Sequence, residues 1–237
     1  MNHRLLHSLA NGEMMREENS ISSLIVMDHL HSKINATIER LARDYRDAPG
    51  IILTEDDLKC LLVSRLLEIP ELRCPRRTAD HQVFGTMVHT EVSWFDENGE
   101  LRIKPDITIL NPRKLSIFHN LRRGLPLPRK GFNFAGSSII FELKFIRGRA
   151  GVTRACLRDI EGDLAKVLRL FDRLSLHDIE NELYCFFVIF SKVDRYVPEF
   201  AELINQARSY RRCRIIFETA GVHWPAASSP SISVPEC

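Results

Sequence analysis

The sequence predicts an α/β fold in which a mixed central β-sheet is flanked by helices. Amphipathic helical segments open the chain, runs rich in β-branched and aromatic residues follow, and a helical stripe separates two later apolar runs. Alternation of this kind is typical of α/β domains. A length of 237 residues favours one large domain over two. We expect a flexible leader at 1–20, a single α/β domain at 21–218 and a disordered tail at 219–237.

Composition limits the classes of protein to which the chain can belong. Hydrophobic residues make up 44% and charged residues 27%, which excludes a collagen-like or disulfide-scaffold protein. A net charge of +2 is too small to indicate nucleic-acid binding by itself, so any basic surface must be local. The six cysteines are scattered and form no zinc-binding pair. Because the sequence contains neither a signal-peptide core nor an apolar run of about 20 residues, we expect a cytoplasmic protein.

Two helices are expected before the sheet. Between residues 23 and 46, apolar residues recur every three or four positions, which predicts an amphipathic helix that ends before Pro49 and Gly50. Such a stripe packs into a core more often than against a partner, although a homodimer through this helix stays open. Thr54 should cap the second helix, with Asp57 three positions later in a near capping box.

The sheet is expected to begin with an antiparallel pair of strands. Residues 83–95 are rich in β-branched and aromatic side chains, and the Asn-Gly pair at 98–99 favours a tight reversal into the run 101–110. Residues 111–136 are predicted to be a long connection broken by proline and glycine. The later elements should alternate strand and helix: a strand at 138–145, a helix with its stripe from 157 to 174, a strand at 183–190, a helix at 198–208 and a strand at 213–217.

Three charged residues stand in segments that otherwise look buried. Asp106 lies in IKPDITIL, and Glu142 and Lys144 lie in SIIFELKF. Charges avoid such places unless they are paired or bind a cation. Alternate residues of a strand share a face, so Glu142 and Lys144 point the same way, and a neighbouring strand can bring Asp106 to them. Such a cluster suits Mg²⁺-assisted phosphodiester hydrolysis, in which Lys144 orients or helps deprotonate the attacking water.

This pattern resembles the PD-(D/E)XK nuclease superfamily. The resemblance rests on the Pro-Asp pair at 105–106, the Glu-Leu-Lys run at 142–144 and the order of elements from about 54 to 190. It implies a restriction-endonuclease-like fold and a Mg²⁺-dependent endonuclease, with Mn²⁺ as a substitute metal. DNA is the expected substrate, while RNA and the strandedness of the substrate stay open.

The resemblance also implies a set of site residues. Glu55 on the early helix and the backbone carbonyl of Leu143 would join Asp106 and Glu142 as metal ligands. Whether Glu55 or Glu91 completes the site is left open by the sequence. On the following helix, Asp163 and Lys166 resemble a polar pair near the site, with solvated surface charges as the alternative. Glu91 could also support the site, although a polar residue on a half-exposed strand is the commoner case.

Basic residues follow the strand of Asp106 without an intervening acid: Arg113, Lys114, Arg122, Arg123, Arg129 and Lys130. In a nuclease such residues would hold backbone phosphates, whereas in other proteins they form a solvated loop. The turn RGRAG at 147–151 lies between a strand and a helix but lacks the Gly-Lys-Ser/Thr ending of a phosphate loop. We interpret it as a plain turn and leave phosphate contact open.

Two other interpretations remain open. Glu142 and Lys144 could form an ion pair on an exposed side of the sheet. The chain could also be a non-catalytic nucleic-acid-binding or regulatory interaction protein that retains the nuclease fold. The sequence predicts that Asp106→Ala or Lys144→Ala abolishes Mg²⁺-dependent cleavage while folding stays intact.

Overall fold

The structure is a computed structural model that describes residues 29–80, 83–95, 101–116, 133–134, 136–177, 183–207, 210 and 212–220. Its helices are α1 (29–47), α2 (Glu55–Leu66), α3 (Pro70–Arg73), α4 (Arg154–His177) and α5 (Pro198–Ala207). Its strands are β1 (Arg76–Arg77), β2 (Phe84–Gly85), β3 (Val88–Thr90), β4 (Trp94–Phe95), β5 (Leu101–Ile103), β6 (Ile107–Leu110), β7 (Leu115–Ser116), β8 (Asn133–Phe134), β9 (Ser138–Ile146), β10 (Leu183–Ser191) and β11 (Cys213–Thr219). Short 3-10 helices cover Pro49–Ile51 and Pro112–Lys114.

A mixed five-stranded sheet in the order β11-β10-β9-β6-β3 forms the centre of the fold, and helices flank it. The strands β9, β10 and β11 are parallel, while β6 runs antiparallel to both β9 and β3. The predicted α/β class with a mixed, helix-flanked sheet is therefore confirmed. The ladder between β6 and β9 ends at the pair Ile107 and Phe141, whereas β9 continues to Ile146. The last part of β9 thus has one edge that β6 does not cover.

Each face of the sheet has its own core. Alternate residues of β9 pack with α1 and α2 on one face: Ile139, Phe141, Leu143 and Phe145. Ile140 and Ile146 pack on the other face with α4, α5 and the β4–β5 pair. By this alternation, Glu142 and Lys144 lie on the α4 face.

Helix α1 packs its apolar stripe into the core of the chain. The stripe is buried along the whole described helix: Leu30, Ile34, Ile38, Leu41 and Tyr45. The stripe therefore packs within the chain. Within residues 29–47, the helix has no second apolar face that a partner chain could cover. Residues 23–28 of the predicted helix lie outside the described residues.

The start of α2 follows the predicted cap. The Thr54 hydroxyl accepts a hydrogen bond from the Asp57 backbone N–H at 3.1 Å, and the Asp57 carboxylate accepts one from the Thr54 N–H at 2.9 Å. This reciprocal capping box satisfies two donors that a helix start otherwise leaves unpaired. It fixes the entry of the helix that carries Glu55.

The region 83–95 differs from the single strand that the sequence predicts. It is divided into β2, β3 and β4, and Glu91 between the last two adopts a left-handed conformation with φ of 54°. A Cβ on Gly85 would lie 3.3 Å from the Leu115 side chain, which shows how closely a later segment packs there. Strand β4 pairs antiparallel with β5, as expected, but β3 pairs with β6 in a separate ladder. The Asn-Gly turn lies outside the described residues.

The connection 111–136 also contains structure that the sequence did not indicate. It holds a 3-10 turn and strand β7, which pairs antiparallel with β8. At the C-terminal end, Thr219 belongs to β11 and Ala220 is buried, so the strand extends into the first residues of the predicted tail. The predicted leader and the tail from 221 onward lie outside the described residues. Within the described part, no helix is both long enough and apolar enough to cross a membrane.

Candidate active site at the free edge of strand β9

Two carboxylates occupy the edge of β9 that β6 leaves uncovered. The Asp106 carboxylate accepts a hydrogen bond from the Leu143 N–H at 2.9 Å through Oδ2. The Glu55 carboxylate accepts one from the Phe145 N–H at 3.2 Å through Oε2. Alternate residues of a strand lie about 7 Å apart, so the two acids are neighbours along one edge. They satisfy backbone donors that would otherwise lack a strand partner.

The Leu143 carbonyl faces the same edge. In an antiparallel ladder, a residue directs its N–H and its C=O towards the same neighbouring strand. The Leu143 N–H is directed at Asp106, so its carbonyl is directed towards the acids as well. The Leu143 side chain is buried on the α1 and α2 face. This residue therefore contributes its backbone to the site and its side chain to the core.

Glu142 and Lys144 approach the same place from the α4 face. The Lys144 Nζ atom lies 3.0 Å from Oδ2 of Asp163 on α4 and 3.9 Å from Oε1 of Glu142. Lys166 lies 2.7 Å from the other oxygen of Asp163. The Glu142 and Asp106 side chains are only 19% and 17% exposed. The expected trio is thus brought together in a partly closed cleft, with Asp163 directly behind Lys144.

Burial and closely spaced carboxylates suppress the ionisation of Glu142 and Glu55. Burial, followed by the charge of Asp106, raises the pKa of Glu142 to about 7, despite the opposing effect of Lys144. Asp163 and Glu55 contribute in the same direction. Burial also raises the pKa of Glu55, and this outweighs Lys144 and the hydrogen bond from Phe145. Burial is the largest cause for both groups, and the charge of neighbouring carboxylates adds to it.

Lys144 and Asp163 stabilise each other's charged forms. Burial lowers the pKa of the Lys144 ammonium, but the hydrogen bond and charge of Asp163, with the charges of Glu55 and Glu142, raise it overall. Burial likewise raises the pKa of Asp163, and the bonds from Lys166 and Lys144 lower it overall. Lys144 therefore remains a cation at neutral pH.

Lys59 is a member of the site that the sequence reasoning missed. Its Nζ atom lies 3.2 Å from Oδ1 of Asp106 and 3.1 Å from Oε1 of Glu91, and its side chain is only 14% exposed. Burial lowers the pKa of Lys59, but the hydrogen bonds that it donates to Glu91 and Asp106 raise it overall. A sequence signal existed, because Lys59 follows Glu55 by four residues and so shares its helix face.

Glu91 lies beside the acids and is linked to them through Lys59. Its side chain is 49% exposed and forms ion pairs with Lys59 and Lys104. These two lysines, Lys104 first, lower the pKa of Glu91 to about 2. Its backbone N–H donates to the Asp106 carbonyl at 3.0 Å, which ties the turn after β3 to the residue before β6. Glu91 thus supports the position of Asp106 from outside the cleft.

The predicted phosphate-binding residues are separated from the acids. Asp106 precedes β6, whereas Arg113 and Lys114 follow it and are exposed. The four residues of β6 span about 13 Å, so the two groups lie at opposite ends of this strand. The other four residues of that prediction lie outside the described residues: Arg122, Arg123, Arg129 and Lys130.

The chemistry of the donors fits a hard divalent cation. Carboxylates of Asp106 and Glu142 and the Leu143 carbonyl are the oxygen ligands that Mg²⁺ prefers. The ion pair between Glu142 and Lys144 is long, at 3.9 Å, so this lysine holds the Glu142 carboxylate only weakly. Among the described residues, no group of three or more His, Cys, Asp or Glu side chains meets the geometry of a metal site by itself. A site here would therefore combine side chains with the backbone carbonyl and water.

Comparisons with family models, with curated proteins and with solved structures gave no match to this chain.

Proposed function

We propose that this protein is a Mg²⁺-dependent nuclease of the PD-(D/E)XK type that hydrolyses phosphodiester bonds, with DNA as its expected substrate. One observation carries the proposal: Glu55, Asp106, Glu142 and Lys144 converge on the stretch of β9 that β6 leaves uncovered. The long ion pair between Glu142 and Lys144 supports the proposal, because it leaves the Glu142 carboxylate only weakly paired.

The topology around the site agrees with a restriction-endonuclease-like fold. A helix with an acid at its first turn precedes three antiparallel strands, and α4 then crosses to a parallel strand. Asp106 immediately precedes the second of these strands, and Glu142 and Lys144 come from the third. This is the arrangement that the sequence resemblance implies. The specific fold family is part of the proposal.

Each residue has a role that follows from its surroundings. Asp106, Glu142 and the Leu143 carbonyl would hold Mg²⁺, which supplies Lewis-acid activation of the phosphoryl group and of water when bound. Lys144 is held as an ammonium by Asp163, so it donates hydrogen bonds to water or phosphate oxygen and offsets negative charge in the transition state. Its raised pKa argues against Lys144 as the proton acceptor. Glu55 fixes the backbone of β9 at Phe145 and adds negative charge.

Lys59 is the observation that favours the non-catalytic alternative. Its ammonium already neutralises Asp106, as a metal ion would. In a nucleic-acid-binding or regulatory protein that kept the fold, this pair would be permanent and the acids would bind no metal. Calorimetric titration with Mn²⁺ separates the two functions, because only the nuclease requires binding that depends on Glu142.

A cleavage assay tests the proposal directly. Purified protein is incubated with double-stranded, single-stranded and branched DNA and with RNA, in Mg²⁺, Mn²⁺ or EDTA. We expect metal-dependent cleavage that Lys144→Met reduces by at least about a hundredfold, since the transition state loses a fixed positive charge. Lys104→Met is the matched control, because Lys104 is an exposed lysine of the neighbouring network that contacts Glu91. Equal cleavage by wild type and Lys144→Met, or loss in both variants, would exclude the assigned role.

A further inference from the structure

Two loops follow the parallel strands β9 and β10 at the end of the sheet towards which Lys144 lies. The first, residues 147–153, leads from β9 into α4, and the second, residues 192–197, leads from β10 into α5. In open α/β sheets, ligands bind in the crevice outside the carboxyl ends of the strands. These two segments, called the loop platform below, therefore border the place where a substrate of the candidate site would lie.

Backbone hydrogen bonds join the two loops into one unit. The Val152 N–H donates to the Arg195 carbonyl at 2.9 Å, and the Val197 N–H donates to the Val152 carbonyl at 3.1 Å. The Lys192 N–H donates to the Ile146 carbonyl at 3.0 Å, directly at the end of β9. The backbones of the two loops are thus held at fixed positions relative to each other and to β9.

Gly151 makes this close contact possible. It adopts a left-handed conformation with φ of 68°, and a Cβ at this position would overlap the carbonyl oxygen of Arg195. Any other residue would have to push the second loop away. The glycine of the RGRAG turn therefore serves the contact between the loops.

The loop platform carries four cationic side chains: Arg147, Arg149, Lys192 and Arg195. Asp194 is the one acid in the two segments. Within the described part of the chain, none of the four cations is in an ion pair, whereas Lys59 and Lys144 are closely paired with carboxylates. The positive charge on the platform is therefore available to a ligand.

The platform adjoins the candidate site through Phe145. The Lys192 ammonium lies 5.9 Å from the centre of the Phe145 ring, and the Phe145 N–H is the donor that Glu55 accepts. Arg147 follows Lys144 by three residues, or about 10 Å of extended chain. The cationic side chains of the platform thus follow Glu142 and Lys144 closely in sequence. Arg113 and Lys114 lie at the other end of β6, away from the acids.

From this arrangement we infer that the loop platform binds the phosphate backbone of a nucleic-acid substrate beside the bond to be cleaved. The inference rests on the proposed function for the identity of the ligand. Phosphate contacts of this kind position nucleic acid without reading its sequence. With a net charge of only +2, any basic surface of the chain must be local, and the platform is such a surface.

Salt-dependent binding tests the inference without any cleavage. A fluorescently labelled 20-bp duplex is titrated with full-length protein in EDTA at several salt concentrations, with fluorescence anisotropy as the readout. Each phosphate contact contributes about 0.9 to the slope of log K against log salt. The double variant Arg147→Gln/Arg149→Gln should therefore reduce the magnitude of this negative slope by about 2. It should also weaken binding at least about tenfold at low salt.

The double variant Arg43→Gln/Arg73→Gln is the matched control. It removes the same charge from exposed positions on α1 and α3, and its slope should equal that of wild type. An unchanged slope in the loop variant, or an equal fall in the control, would overturn the inference. Polyglutamate of matched charge probes an acidic protein partner, and binding as tight as that of the duplex would also overturn it.

These results are distinguishable from a failure of the proposed function. If wild type cleaves with Mg²⁺ but the loop variant keeps its slope, the nuclease stands and the platform is refuted. If no substrate is cleaved but the loop variant loses slope, the platform stands and the nuclease is refuted.

Discussion

Glu142→Gln should change the pH dependence of folding stability in the metal-free protein. Burial and the neighbouring Asp106 raise the pKa of Glu142 to about 7 in the folded state, against an ordinary value of 4.5. The folded protein therefore holds this proton more tightly than the unfolded chain does. As a result, the contribution of Glu142 to stability is greatest below about pH 4.5, declines as the pH rises, and levels off above pH 7.

The structure sets the size of this effect. A difference of about 2.5 pH units at 1.36 kcal/mol per unit gives about 3 kcal/mol in full. Between pH 5 and pH 8, the contribution of Glu142 amounts to about 2.5 kcal/mol of lost stability. Glutamine cannot ionise, so Glu142→Gln should be more stable than wild type at pH 8 and should lack this part of the decline.

Urea denaturation in EDTA at pH 5, 6, 7 and 8 measures the difference between the two proteins. Glu161→Gln is the control, because Glu161 is an exposed glutamate on α4. The pH profile of its stability should be the same as that of wild type. Parallel profiles for wild type and Glu142→Gln would refute the claim that neighbouring acids suppress the ionisation of Glu142. Addition of Mg²⁺ should reverse the decline in wild type, because cation binding favours the ionised carboxylate.

Three further substitutions test other parts of the structure. Lys59→Met should tighten Mn²⁺ binding at least about tenfold in calorimetry, because it removes a positive charge 3.2 Å from an Asp106 oxygen; weaker binding would mean that Lys59 assists the metal. Gly151→Ala should destabilise the fold by about 3 kcal/mol or more through overlap with the second loop, while Gly148→Ala, which has open space around it, should not; equal denaturation midpoints would contradict this. Thr54→Ala should cost about 1 kcal/mol through loss of the capping box, and an unchanged midpoint would show that the cap is dispensable.

The sequence predicted the fold best where local pattern and tertiary environment agree. The runs of β9 and β10 are apolar on both faces, as strands in the middle of a sheet must be, and their observed bounds differ from prediction by one residue at the C-terminal end. Residues 83–95 have equally strong strand propensity, yet they are divided. At Gly85 the segment packs against Leu115, which is distant in sequence, and at Glu91 the chain adopts a left-handed conformation that no local pattern indicates.

In the candidate site, too, the residues visible in the local sequence pattern were predicted, and those that depend on contacts distant in sequence were not. Asp106, Glu142 and Lys144 were found because charges in apolar runs conflict with their surroundings, and such conflicts are visible in the sequence. The local signal for Lys59 was its spacing of four residues from Glu55, and this signal is weak because a lysine on a helix usually marks a solvated face. Its significance depends on the packing of α2 beside β9, which brings its ammonium to Asp106. Arg113 and Lys114 show the converse, since closeness in sequence to Asp106 did not place them beside it.

The geometry of Asp106 also changes which substitution can test its chemistry. The sequence prediction used Asp106→Ala on the assumption that folding would stay intact, but the Asp106 carboxylate caps the Leu143 N–H. Alanine would leave that partly buried donor without a partner, at a cost of about 1 to 3 kcal/mol. Asparagine keeps an acceptor oxygen in the same place and removes only the charge. If Asp106→Asn loses both Mn²⁺ binding and cleavage at wild-type stability, the charge of Asp106 serves chemistry. If it folds normally and keeps metal-dependent cleavage, Asp106 is a backbone cap and the metal is held elsewhere.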